Sequence, residues 1–366
     1  MAALKDIYTV SFFNDFSNVV EMHHPIFNRH KFITSIFDNE WQGKALKQRM
    51  RHTTNVLHQH LPSNFIKAAQ IIEKTAITLI ETNTNQNIFG YMFLPDYIEV
   101  YGLAHFKTSI RAIETVTQFV SCEYAVRPFI VQYPKEMIQQ MHNWSLHKSH
   151  HVRRLACEGT RPRLPWAAGI DFLKQNPKPI IPILDNLKND ASEYVRRSVA
   201  NNLNDISKNQ PDIVLELVKK WSGISKETDS ILKHGSRTLL KNGNKTILKH
   251  FGVSSNPDIY ISNLKITTPQ VEIGDYLKFN FEIKNQSTSK HAIRIEYAIH
   301  YLLQNGQLSK KVFKISERVI NEKTAIEIIK QHSFKVITTR KFYKGQHALS
   351  IIINGKPSDL INFELV

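Results

Sequence analysis

The stretch HKSHHVRRLACEGTRPRLPW, residues 147–166, holds four arginines, one lysine, three histidines, a tryptophan and a single acid, Glu158. Arg154 and Glu158 stand four apart, and Glu158 and Arg161 three apart, so on a helix these side chains share a face. The simplest reading is an ion pair with no further role. Its block His151-Val152-Arg153-Arg154 recurs 43 residues later as Tyr194-Val195-Arg196-Arg197. A weaker form precedes it at Ala125-Val126-Arg127-Pro128, and another follows at His234-Gly235-Ser236-Arg237, 40 residues after the second. Periods of this size, with two helices each, are the signature of HEAT-like or armadillo-like solenoids. In such a stack each valine enters the core and the arginines line one concave surface, shaped to cradle a duplex backbone. The alternative, arginines that only pair with acids on neighbouring repeats, meets a local shortage of acids.

Outward from this stretch, residues 12–252 read as helices. Apolar residues recur at three and four, as in Phe65, Ala68, Ala69, Ile72 and Ala76, Leu79, Ile80, and prolines from Pro62 to Pro211 punctuate them. Asp190 and Glu193 have the spacing of a capping box. SSNPD, residues 254–258, is a turn-like boundary. Beyond it Leu277, Phe279, Phe281 and Ile283 alternate with Lys278, Asn280, Glu282 and Lys284. Further strands are expected at 293–303, 311–316, 324–329, 332–337, 347–353 and 360–365, with turns at NGQ and NGK. The expected architecture is multidomain, α then β. An all-α HEAT-like repeat superhelix over 1–254 precedes an immunoglobulin-like β-sandwich over 255–366.

The net charge of +16 and a pI of about 9.6 point to a polyanion as partner. Both halves share it, at +10 and +6. No apolar run approaches the length of a membrane span, and the N-terminus does not read as a signal peptide. Double-stranded DNA is therefore expected rather than a membrane. Two cysteines, Cys122 and Cys157, make no disulfide framework and suit a reducing cytoplasm, with nucleoid association through DNA. A monomer is the expected state.

Three acids attract attention inside this basic chain: Glu123, Glu158 and Asp205. Each follows or flanks a repeat arginine, and Asn201 and Asn202 precede Asp205 by one turn, within reach of it or of a ligand. For each acid the plainer alternative is a buried structural ion pair. His142, His147, His150 and His151 lack a cysteine or carboxylate at ligand spacing, and adjacent His150 and His151 are expected to face apart, so no metal is expected. No phosphate-cradling glycine loop and no GxSxG occurs, and Cys157 has no evident base. Trp166 could stack on a base or sugar, or sit in a helical core.

VRRLACEGTRPRLPWA (152–167) resembles the signature of the AlkC/AlkD superfamily of HEAT-like-repeat DNA glycosylases. SCEYAVRPFI (121–130), SVANNLNDISK (198–208) and KHGSRTLLK (233–241) resemble the AlkC branch, one subgroup of which carries a C-terminal immunoglobulin-like domain. Cys122 and Cys157 stand where serine is more usual. The resemblance implies a monofunctional, cofactor-free glycosylase of base excision repair. It would remove cationic alkylated bases, above all N3-methyladenine, with N3-methylcytosine as a further candidate, without flipping the base into a pocket. It implies Glu158, Asp205 and Glu123 as active-site acids, with Trp166, Arg154 and Arg161 beside the lesion. Arg127, Arg153, Arg163, Arg196, Arg197, Lys208 and Arg237 are then expected on the phosphates. The chemistry is consistent: a cationic base leaves neutral, and carboxylates can serve the oxocarbenium-like sugar and a water. The main rival is a non-catalytic HEAT-repeat module that binds damaged or distorted duplex. A protein-interaction scaffold is a second rival, and it would leave the arginine rows unexplained.

Overall fold

The computed structural model describes residues 4–82, 88–253, 258–337 and 340–366, which form two compact units, Met1–Gly235 and Ser236–Val366. The first unit is helical. Its helices follow from the apolar spacing: Phe65–Glu81 starts on Asn64, whose side chain accepts from Lys67 N, and buries Phe65, Ala68, Ala69, Ile72, Ala76 and Leu79. Ile80 departs from the expected apolar stripe and stays exposed. Pro134–Trp144 and Pro211–Trp221 both start on a proline, whose missing N–H costs nothing in a first turn, and both end on a buried tryptophan.

The helices that carry the recurrent block pack in series. His150–Gly159 lies against Glu193–Ile206, which lies in turn against Lys226–Gly235. The approach is close enough to require glycine: a Cβ on Gly235 would come 2.8 Å from Leu203 Cβ. Val126, Val152 and Val195 are all fully buried, as the repeat reading expects. The bonding recurs too. Arg153 donates from Nη1 to His147 O at 2.9 Å and Lys148 O at 2.8 Å, and Arg196 donates from Nη1 to Asp190 O at 2.7 Å and Ala191 O at 2.8 Å. In both blocks the first arginine ties down the carbonyls six and five residues before it. The Glu193–Ile206 helix has Ser192 as its N-cap, without a side-chain cap bond. Asp190 instead accepts from Ser192 N and from Arg153, so the capping box expected at Asp190 and Glu193 gives way to a turn that holds an arginine.

The second unit begins with the short helices Arg237–Lys241 and Lys245–His250. Its strands are β1 (Ile259–Ile266), β2 (Gln270–Val271), β3 (Tyr276–Asn285), β4 (His291–Leu302), β5 (Leu308–Ile320), β6 (Thr324–Ser333), β7 (Gly345–Ile353), β8 (Lys356–Pro357) and β9 (Ile361–Leu365). One sheet runs β1-β3-β6. The other runs β2-β9-β7-β4-β5, with β8 beside β7. Leu277, Phe279, Phe281 and Ile283 all enter the core, as their alternation requires. Two strands expected at 324–329 and 332–337 are one, because β6 pairs with β3 without a break from Thr324 to Ser333. β1 was not read from the sequence. The expected boundary turn falls largely on 254–257, outside the described residues. NGK turns tightly: Asn354 and Gly355 both take positive φ, and Ile353 pairs with Lys356.

Candidate active site

One alternating row of charges organises the helical unit. Glu158, nearly buried on the last turn of its helix, accepts from Arg161 Nη1 at 2.6 Å and from Ser198 Oγ at 2.6 Å. Arg161 donates from its Nε to Asp205 Oδ2 at 2.8 Å, and Asp205, 2% exposed, also accepts from Lys208 Nζ at 3.0 Å. On the other side Arg154 Nη2 lies 3.6 Å from Glu158 Oε1, while its Nη1 donates to Glu123 and to Ser121 Oγ. The order is Glu123, Arg154, Glu158, Arg161, Asp205. The sequence had placed these five apart along 83 residues, and the fold brings them into contact.

The surroundings fix the row. Ser121 Oγ reaches Glu123 Oε2 at 2.9 Å, and the Arg154 guanidinium lies over the Tyr194 ring at 4.8 Å. Burial opposes charge on Arg154 and Arg161, yet the carboxylates beside them hold both above the ordinary arginine value. The Tyr124 and Tyr194 hydroxyls are raised by burial and by the Glu123 charge. Burial also pushes the Cys157 thiol up to about 12, which removes it as a nucleophile. Ser198, Tyr194 and Ser121 are partners that the sequence did not announce. The signal for Tyr194 and Ser198 was available, since Tyr194 opens the second copy of the recurrent block and Ser198 directly follows it.

Trp166 is 69% exposed, with its backbone in the left-handed region at φ 65°. It is no core residue, and a tryptophan held there is strained. Lys47 donates to its carbonyl at 2.7 Å. Arg127 holds the same loop from beneath. Its guanidinium donates to Gly159 O at 3.1 Å, Arg161 O at 2.8 Å, and Ala168 O at 3.1 and 2.6 Å. Arg127 is 5% exposed, and burial, with Arg161 adding to it, pushes its pKa down to about 10. The expectation of Arg127 on a phosphate is therefore corrected to a buried clamp on residues 159–168.

The other arginines divide. Arg153 is committed to Asp190, at 2.6 and 3.0 Å, and to its two carbonyls, and Arg196 to its own pair. Arg163, Arg197 and Lys208 are exposed, resting on Asn209, Glu193 and Asp205. Arg237 opens the first helix of the second unit. Asn202 turns away from Asp205 and donates to Cys157 O at 2.9 Å. His150 and His151, expected to face apart, bring their rings to 4.2 Å. Among the described residues no three His, Cys, Asp or Glu side chains gather as a metal site, and no helix is long and apolar enough to cross a membrane.

A family model described as DNA alkylation repair enzyme matches residues 58–243. The chain belongs to that family. A second model, described as the C-terminal Ig-like domain of the uncharacterised protein YhaZ, matches residues 260–366. The uncharacterized protein YhaZ of Bacillus subtilis (strain 168) is 42% identical over 365 residues, covering 100% of both chains. Among solved structures, the alkylpurine DNA glycosylase AlkC of Pseudomonas fluorescens, bound to DNA containing an abasic site analog, is 31% identical with a TM-score of 0.92 over 100% of both chains. These findings place the chain in the AlkC branch of the superfamily, with a C-terminal immunoglobulin-like domain.

Proposed function

We propose that this protein is a monofunctional DNA glycosylase of base excision repair. It hydrolyses the N-glycosidic bond of cationic alkylated bases, chiefly N3-methyladenine, with N3-methylcytosine as a second substrate. The observation that carries the reading is the Glu158–Arg161–Asp205 bridge: two carboxylates held by one buried guanidinium beneath exposed cations. The full-length likeness to an alkylpurine DNA glycosylase supports it. In the reaction the bond from C1′ to the base nitrogen breaks, and both electrons leave with the base. That neutralises its positive charge and leaves an oxocarbenium-like sugar. Water adds to C1′ and releases a proton. Glu158 and Asp205 stabilise the sugar charge, an effect of ~3–4 kcal/mol per group by comparison with other preorganised sites. Glu123 is the acid best placed to orient the water: Ser121 and Arg154 both reach its Oε2, and among the described residues no donor reaches Oε1. Arg163, Arg197 and Lys208 hold phosphates, and Trp166 lies against the lesion nucleotide without requiring that the base be flipped before cleavage.

The test is base release from methylating-agent-treated duplex, quantified by mass spectrometry, for wild type and Glu158→Gln. Release of N3-methyladenine by wild type, reduced about a hundredfold or more in the variant with DNA binding retained, is the expected result. DNA binding with no release by wild type would leave a non-catalytic module for damaged duplex.

A further inference from the structure

A cavity of about 590 Å³ opens beside the charge row, entirely within the helical unit. Helix Leu46–His60 contributes Lys47, Met50 and Arg51, and helix Phe93–Gly102 contributes Pro95, Asp96 and Glu99. The far wall is Tyr124, Pro128 and Val131, closed by the loop from Trp166 to Ile170. Ser121 lines the cavity and also bonds Glu123 and Arg154, so the cavity and the row share a wall. Lys47 crosses the mouth, lying over the Tyr124 ring at 5.8 Å while bonding Trp166 O.

The lining suits one kind of occupant. Its walls are mostly apolar and aromatic, which favours a flat heterocycle. Its cations Lys47, Arg51 and Arg127 are already bonded to Trp166 O, Asp96 and backbone carbonyls, and two acids stand among them, so the lining does not favour a phosphate. Arg51 forms a bidentate pair with Asp96 at 2.8 Å on both bonds, and Thr54 Oγ1 donates to the same carboxylate at 2.7 Å, so Asp96 is engaged. Glu99 is held more loosely: Arg51 Nη2 stands 3.7 Å from its Oε1, an ion pair beyond hydrogen-bond range. Burial, with Asp96 one turn away, pushes the Glu99 carboxyl up to about 7. Its protonated form offers one donor and one acceptor side by side, the complement of an adenine edge with its exocyclic amino group and neighbouring ring nitrogen.

We propose that this cavity receives the excised purine base after the glycosidic bond breaks, with Glu99 reading its amino edge. The inference rests on the glycosylase reading above. It adds a product site that draws the neutral base away from the abasic sugar, and it favours adenine-type over pyrimidine products.

The experiment uses the full chain and free N3-methyladenine as probe, with 1,3-dimethyluracil as control. Binding is followed by calorimetry, and inhibition of base release from methylated duplex is measured in parallel for wild type, Glu99→Gln and Glu99→Leu. Gln keeps a donor and an acceptor, so wild type and Glu99→Gln are expected to bind and to be inhibited by N3-methyladenine, and far less by 1,3-dimethyluracil, which has no N–H donor. Glu99→Leu loses both hydrogen bonds and is expected to bind about tenfold more weakly or worse. Equal inhibition of all three proteins, or wild-type excision without saturable probe binding, would overturn the cavity site and leave the glycosylase reading intact. Probe binding with the Gln and Leu pattern but no excision would support the site as a purine pocket and overturn the glycosylase reading alone.

Discussion

Arg127→Met tests whether the clamp beneath Trp166 is structural. The guanidinium makes four hydrogen bonds to three backbone carbonyls, Gly159, Arg161 and Ala168, at 2.6 to 3.1 Å. Methionine fills much of the same volume but supplies no donor. Three carbonyls in a nearly buried place then lose their partner, at ~1–3 kcal/mol each before relaxation. Water can reach the edge of the loop, so a net loss of about 3–5 kcal/mol is expected, a third or more of a typical domain's stability. The loop should loosen as well, since Trp166 keeps its left-handed backbone only under constraint. Urea melts give the free energy, and limited proteolysis reports cleavage within residues 160–170. The base-release rate is expected to fall with the loop's order. Suppose instead that Arg127 served a phosphate. Arg127→Met would then leave the urea midpoint within about 0.5 kcal/mol of wild type and lower the salt slope of DNA binding by about one. That result would refute the clamp.

Ser198→Ala removes the buried donor 2.6 Å from Glu158 Oε2; a stability loss of ~1–2 kcal/mol and a slower single-turnover base release at unchanged DNA affinity are expected, and an unchanged rate would detach Ser198 from the site. Trp166→Asn replaces a strained residue by one that tolerates positive φ, so thermal melts should show stability unchanged or raised by up to ~1 kcal/mol while base release falls. For Glu99 the pKa rises from 4.5 to about 7 on folding, through burial first, with Asp96 on its own helix adding to it and Lys47 and Arg51 from the neighbouring helix opposing it. A raised carboxyl pKa leaves stability intact below the unfolded value and removes it as pH climbs through 7, by at most ~3 kcal/mol. Glu99→Gln should therefore melt higher than wild type at pH 8 and match it near pH 4, and parallel melts at both pH values would contradict this.

What the sequence disclosed depended on how local the cause was. The recurrent Val-Arg-Arg block could be read because a buried valine and a capping arginine are set within one helix and its approach. The alternation of Leu277, Phe279, Phe281 and Ile283 could be read for the same reason. Arg154 and Glu158 could be read as neighbours because their spacing fits one helix face; Arg161 was expected on that face, but the helix ends at Gly159 and Arg161 reaches Glu158 from the turn beyond it. Their relation to Glu123 and Asp205 could not, because it depends on how successive helices stack. Arg127 misled for a definite reason: charge on a basic chain suggests phosphate, and nothing local reveals that three carbonyls from residues 159–168 converge on it. The cavity was invisible for the same cause, since Met50, Glu99, Val131 and Trp166 come from four separate elements.

The proton inventory of the row bears on which bases can leave. Removing a neutral base requires an acid to protonate it, whereas a cationic base needs none. Arg154 and Arg161 are held above the ordinary arginine value and keep their protons. The hydroxyls of Tyr124 and Tyr194 are raised, and the Cys157 thiol stands at about 12. Glu158 and Asp205 accept hydrogen bonds from cations, the posture of carboxylates that attract positive charge. Glu99, the carboxyl near neutrality, lines the cavity and not the row. A row so composed can stabilise a sugar cation and orient water, yet it offers no proton to a departing base. On the proposed reading, selectivity for bases that already carry the positive charge follows from the chemistry of five side chains, before any contact with the methyl group is considered.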